Sequence, residues 1–261
     1  MPDSEDLDLL TAAAHSAAEI ALRHWRTGPK VWDKGSGLGP VSEADLEVDR
    51  HLRQALLAER PGYGWLSEEG EADPDRLSAE RVFIIDPIDG TRNYLEGEDS
   101  WAISLAVAGA GRVEAGVVLM PARDRLYAAV RGGGATRDGA GIRASRRTEI
   151  GDANVLAPRT ALTADAWRGA PVPQVRRHFR PSLAYRLCLV AEGRFDAMMT
   201  FRDCWEWDIA AGALIAEEAG ATASDRTGAP LRFNTEFART PGAVVAPAAL
   251  HRDLILPPQA R

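Results

Sequence analysis

The chain has 261 residues, 45 % of them hydrophobic and 26 % charged, and a formal net charge of −7. That length can bury a sizeable core as one large domain or two lobes. The acidic balance argues against binding a nucleic acid polymer, which rests on clustered cations, but leaves room for a small anion met by metal ions or a few arginines. No apolar run approaches the roughly 20 residues of a membrane span, and the start, MPDSEDLDLL, lacks the basic and apolar regions of a signal peptide. Cys188 and Cys204 match no metal spacing and are too few for a disulfide framework. These features lead us to expect a cytoplasmic protein with no membrane association.

Residues 4–26 are expected to form a helix capped by Ser4, with Leu9, Ala13, Ala17, Ile20 and Ala21 at helical spacing. After the loop KGSGLGP, Ser42 opens a second helix with Asp45 at the capping-box position and Leu46, Leu52, Leu56 and Leu57 on its apolar side. Pro61-Gly62 ends it. Strands follow at 63–66, 82–85, 101–108 and 113–120, the last two joined by GAGR; Asp138-Gly139 turns a further hairpin. This half is expected to be an antiparallel sheet behind two helices. The second half alternates: strand 153–157, helix 182–192, strand 196–200, a helix from Trp207 stopped by Gly220, and strand 244–246. The stretch 145–152 is the expected seam, giving an N-terminal lobe 1–148 and a C-terminal lobe 149–261.

The chemistry concentrates in VFIIDPIDGTRNY, residues 82–94. Asp86 ends an apolar strand, Pro87 fixes the backbone, and Asp89 follows at a turn. Gly90 and Thr91 then bring backbone N–H groups suited to an oxyanion. Such aspartates also make ordinary Asx turns. Three further sites weigh toward a ligand: Glu68-Glu69 after a short strand, Asp208 in the first turn of a late helix, and Asp45. Adjacent carboxylates repel unless a cation lies between them. Acids without histidine or cysteine are hard oxygen ligands of the kind magnesium takes. The five histidines show no ligand spacing, and GSGLG lacks the ending of a P-loop.

Together SEE, DPIDGT and WDIAAG resemble the inositol monophosphatase superfamily, in that family's order from Lys34 to about Gly220. The resemblance implies an α/β fold, a layered αβαβα sandwich of the sugar-phosphatase type with the site between lobes. It also implies two or three Mg²⁺ ions and hydrolysis of a small phosphorylated metabolite by metal-activated water, with Glu68, Asp86, Asp89, Asp208 and the backbone carbonyl of Ile88 as ligands. Gly90 and Thr91 match the phosphate cradle, Thr91 with Asp45 the group that orients and deprotonates water, and Lys34 a lysine near the phosphate. A homodimer is implied as well.

Substrate signals divide. Phe201 stands where inositol-specific members carry an acid, and FRDCWEWDIAAG is similar to the bacterial 3′(2′),5′-bisphosphate nucleotidases. Arg186 stands where those hold a lysine, and Arg92 is cationic as theirs is, so Phe201, Arg186 and Arg92 are expected at the substrate. Asn93-Tyr94 is closer to the inositol enzymes, and Pro181 replaces a glycine usual in both groups. The expected order of substrates is 3′-phosphoadenosine 5′-phosphate, then inositol 1-phosphate, then a sugar bisphosphate or histidinol phosphate. A catalytically silent ligand-binding relative is the non-enzyme alternative.

Overall fold

A computed structural model describes residues 2–33, 35, 39–70 and 73–256. Helices α1 (Pro2–His24) and α2 (Glu43–Glu59) lie on either side of the paired strands β1 (Val31–Asp33) and β2 (Pro40–Ser42) in the chain. Helix α1 begins before Ser4, which therefore sits within it rather than capping it. Ser42 caps α2 as expected, its hydroxyl and backbone both engaged with Asp45 in a capping box. Leu52 and Leu56 are buried, whereas Leu46 is exposed.

A seven-stranded sheet follows, in the sequential order β3 (Gly64–Ser67), β4 (Arg81–Asp89), β5 (Ala102–Gly109), β6 (Arg112–Met120), β7 (Arg125–Val130), β8 (Gly134–Arg137) and β9 (Ala140–Gly141). It is antiparallel except for β3 and β4, which run parallel and correct the expectation of an all-antiparallel sheet. The segment between them, 68–80, gives the chain length to return to the same end of the sheet. The short helix α3 (Thr91–Leu95) lies between β4 and β5.

The remainder builds a second sheet, ordered β11 (Arg176–His178), β10 (Asn154–Leu156), β12 (Ala197–Thr200), β16 (Ala243–Ala246) and β14 (Thr222–Ser224). Interspersed are α4 (Leu183–Ala191), α5 (Glu206–Glu218), α6 (Ala248–Leu254) and the small pair β13 (Cys204–Trp205) and β15 (Arg239–Thr240).

The alternation of side chains along the strands sets the layers. Phe83, Ile85, Ile103, Leu105 and Val117 pack with α1 and α2. Val82, Ile84, Ala106 and Val118 face the opposite way, onto α4 and α5, and meet Met198 and Val245 of the second sheet across them. Val155, Met199 and Val244 then face Leu250 and Leu254 of α6. The result is the expected αβαβα sandwich. Helix α5 is buried nearly all round because it lies between sheets. Its close packing needs small residues: a Cβ on Gly212 would lie 2.7 Å from Leu187 Cβ of α4. No helix among the described residues is long and apolar enough to cross a membrane.

Candidate metal centre and phosphate site

Strand β4 continues through Pro87 to Asp89, beyond the expected stop at Ile85. Asp86 pairs with Ser104 but Asp89 with Ala102, so three steps on β4 match two on β5. In a regular strand residues three apart face opposite sides. The one-residue bulge removes that opposition and turns both carboxylates toward the α4–α5 side. There they meet Asp208 in the first turn of α5. Asp86, Asp89 and Asp208 each offer an oxygen within 4.8 Å of the others.

Each acid is held by identifiable neighbours. Asp86 Oδ1 accepts from the Ile88 backbone N–H at 3.1 Å. Asp89 Oδ2 accepts from the Ser182 hydroxyl at 2.6 Å and the Ala184 N–H at 2.7 Å, at the start of α4. Glu68 follows β3, and its N–H bonds Ile85 O at 3.2 Å, which sets it beside the Asp86 end of β4. Burial, then Glu68, Asp89 and Asp208, push the Asp86 carboxyl well above its ordinary pKa. Burial and then Asp89 and Glu68 do the same for Asp208. Asp89 rises to about 6, mainly through burial, with Ser182 and the α4 amides opposing. Carboxylates this close and this poorly solvated want a cation. The all-oxygen donor set fits Mg²⁺ rather than zinc, so the residues present fit the expected metal.

Gly90 follows Asp89 with φ of 99°, and Thr91 opens α3 immediately after it. The Thr91 hydroxyl lies 3.2 Å from Asp45 Oδ1 and 3.1 Å from Ile88 O. Asp45 Oδ2 accepts from the Ser42 N–H at 2.8 Å and the Ser42 hydroxyl at 2.5 Å. Burial, the largest influence, and Glu68 raise the Asp45 pKa against the Ser42 hydrogen bonds. A water on Thr91 would thus face a buried and unusually basic carboxylate.

Two cavities adjoin these groups. One of about 350 Å³ is lined by Glu68, Gly90, Thr91, Arg92 and Phe179. The other, of about 830 Å³, shares Phe179 and includes Asp208, Arg186 and Trp205. Arg186 is nearly buried; its guanidinium donates to the carbonyls of Arg180 and Pro181 and lies 4.3 Å from the Phe179 ring centre. It therefore pins the loop ahead of α4 as well as lining the cavity. Phe201, expected at the substrate, does not line either cavity. Half-buried, it packs against the C-terminal core, its ring 5.6 Å from that of Trp167 and tilted 67°. Lys34 lies outside the described residues.

Other supports escaped the sequence reading. Asp49 accepts from Ser67 Oγ at 2.5 Å just ahead of Glu68. Buried Glu206 accepts from the N–H groups of Asn234 and Thr235, and Arg76 bonds the carbonyls of Thr235 and Glu236. Glu206 in the first turn of α5 was the available signal, since a buried helix-start acid needs donors. Ser182, which holds Asp89, was readable as the cap of its helix.

The model for the inositol monophosphatase family matches residues 3–257. The chain belongs to that family. An inositol-1-monophosphatase of Rhizobium meliloti is 38 % identical over 196 residues, 72 % of this chain and 73 % of that one. A histidinol-phosphatase of Chlorobaculum parvum is 31 % identical over 255 residues, 96 % and 95 % of the two chains. Among solved structures, the extragenic suppressor protein suhB of Bartonella henselae superposes with a TM-score of 0.81, 29 % identity and 96 % coverage of each chain. As a family member, the chain is a phosphoric monoester hydrolase.

Proposed function

We propose that the chain is a Mg²⁺-dependent phosphatase of small phosphate esters, working between an N-terminal lobe, 1–148, and a C-terminal lobe, 149–261. The observation that carries this reading is the convergence of Asp86, Asp89 and Asp208, from a bulged strand and a helix of the other half, beside the Asp45–Thr91 pair. With Glu68 and the Ile88 carbonyl, those acids would hold two or three magnesium ions. Bound magnesium supplies acidification of water and screening of the phosphoryl charge. Thr91 orients the attacking water, its hydroxyl itself anchored on Asp45 and Ile88. Asp45 takes the water's proton, and its raised pKa suits that duty. Gly90 and Thr91 receive the phosphoryl oxygens, with Arg92 as a cation in the same cavity; a role for Lys34 rests on the family resemblance alone. Catalysis is then positioning and electrostatics, with no phosphoenzyme required.

For the ester itself, 3′-phosphoadenosine 5′-phosphate keeps Arg92 and Arg186 in its favour and loses Phe201. Inositol 1-phosphate is the second reading, favoured by the relatives named for it. A homodimer in the cytoplasm belongs to the same proposal and rests on the family resemblance. Phosphate release from both esters, with and without magnesium, tests it. Turnover should require magnesium, and Thr91→Ala should lower kcat by about 10²–10⁴-fold, the range for a positioned proton-transfer group. An Asp89→Asn protein with full activity would sink the metal assignment. Faster turnover of inositol 1-phosphate reverses the substrate order.

A further inference from the structure

Cations are outnumbered in this chain as a whole, yet the larger cavity beside the metal centre is lined by Arg186, Arg202, Arg226 and Arg239. The carboxylates facing them are Asp203 and Asp208. Asp208 belongs to the acid cluster on α5, and Asp203 is taken up by Arg226 at 3.2 Å. Arg226 also donates to Phe201 O at 2.7 Å, and Arg186 to the loop before α4. Arg202 and Arg239 are the exposed members.

Arg239 lies over an aromatic ring. Its guanidinium carbon lies 3.8 Å from the centre of the Trp205 ring, and Trp205 stacks on Trp207 at 4.7 Å with an 11° interplanar angle. A guanidinium over an aromatic ring is held by the cation–π attraction while its N–H donors remain available to a planar or tetrahedral oxyanion. Trp205 ends β13 and caps α5, and Trp207 lies in the first turn of that helix, next to Asp208. Arg239, on β15, thus packs against Trp205 of the paired strand β13, which runs straight into the helix that carries Asp208.

We propose that Arg202 and Arg239, backed by Arg226, form a subsite for a second anionic group on the substrate. The proposal rests on the phosphatase reading and names its substrate class: a phosphate ester bearing a further phosphate or carboxylate. Phe201, packed against Trp167 and absent from the cavity lining, has no part in it.

Matched esters test this. Glucose 1-phosphate lacks the second anion, glucuronic acid 1-phosphate carries a carboxylate, and glucose 1,6-bisphosphate a phosphate; adenosine 3′-monophosphate and its 3′,5′-bisphosphate form a second pair. With magnesium present, kcat/KM should favour the doubly charged member of at least one set at least tenfold. Which member gains identifies carboxylate or phosphate. In Arg202→Ala/Arg239→Ala protein that ratio should fall at least tenfold through KM, and Arg202→Lys/Arg239→Lys should restore part of it. Equal kcat/KM across every set in the wild type, or a ratio untouched in the double variant, overturns the proposal. Were no ester hydrolysed, the phosphatase reading would fail, and the subsite would be judged by the same ratios measured as dissociation constants by calorimetry. A preference lost in the double variant would support it, and no preference would overturn it.

Discussion

Gly90 shows how little room the site leaves to a single residue. Its φ of 99° is in the left-handed region, and a Cβ there would lie 3.2 Å from Ser100 O and 3.5 Å from Trp101 Cα. Gly90→Ala should therefore cost about 1–3 kcal/mol of stability, the range for a strained backbone position, and displace Thr91 from Asp45. Urea unfolding measures the first effect, and kcat for any accepted ester the second. An alanine variant with wild-type stability and rate would show that the turn can relax. At this scale the sequence was informative where chain-local chemistry decides: the Asp-Pro-Ile-Asp-Gly-Thr string carries its own acids and its own glycine turn. It was silent where burial decides. Nothing adjacent to Phe201 says which face of its segment meets Trp167, and nothing near Arg76 names the loop carbonyls it serves some 160 positions on.

Among elements, α5 unites structure and site, since it carries Asp208 at its first turn while its body fills the space between two sheets. Gly212 against Leu187, and Ala211 against Gly116, whose own added Cβ would lie 3.0 Å from Ala211 Cα, define how close the layers come. Gly212→Val overpacks this contact and should lower stability by about 1–3 kcal/mol. The expected signature is a lower denaturation midpoint with kcat/KM reduced as Asp208 is pushed off its place. Helix α5 and the hairpins at 109–112 and 138–139 were legible because their ends carry glycine or Asp-Gly turns. The pairs β1–β2 and β13–β15, the helix α3 and the helix α6 were not. They are short, and tertiary packing supplies what their local pattern lacks. The parallel β3–β4 pairing was missed for a related reason: strand direction depends on how the intervening segment returns, not on the strands' own residues.

For the whole molecule, the decisive balance is between repulsion at the acids and the packing that forces them together. Burial raises Asp86, Asp89 and Asp208, and the neighbouring carboxylates raise Asp86 and Asp208 further, so a divalent ion bound to the native fold alone must stabilise it. At a hundredfold excess over its dissociation constant magnesium should add about 2.7 kcal/mol, read as a rise in the thermal midpoint that EDTA reverses. Asp89→Asn should shrink that rise. An unchanged midpoint across a magnesium titration would mean that these acids do not bind the ion at all. The sandwich itself was legible once the motifs had placed the chain in its family; alternation of strands and helices alone would have left the stacking of the two sheets open.

The position of α5 also bears on how the polypeptide is made. Val82, Ile84, Ala106 and Val118 on the inner side of the first sheet are covered by helices that begin only at Leu183 and Glu206. During synthesis the ribosome completes all seven strands before either helix has emerged. For that interval the nascent chain presents an oily slab with no partner, the kind of surface that chaperones recognise and that fosters clumping at high expression.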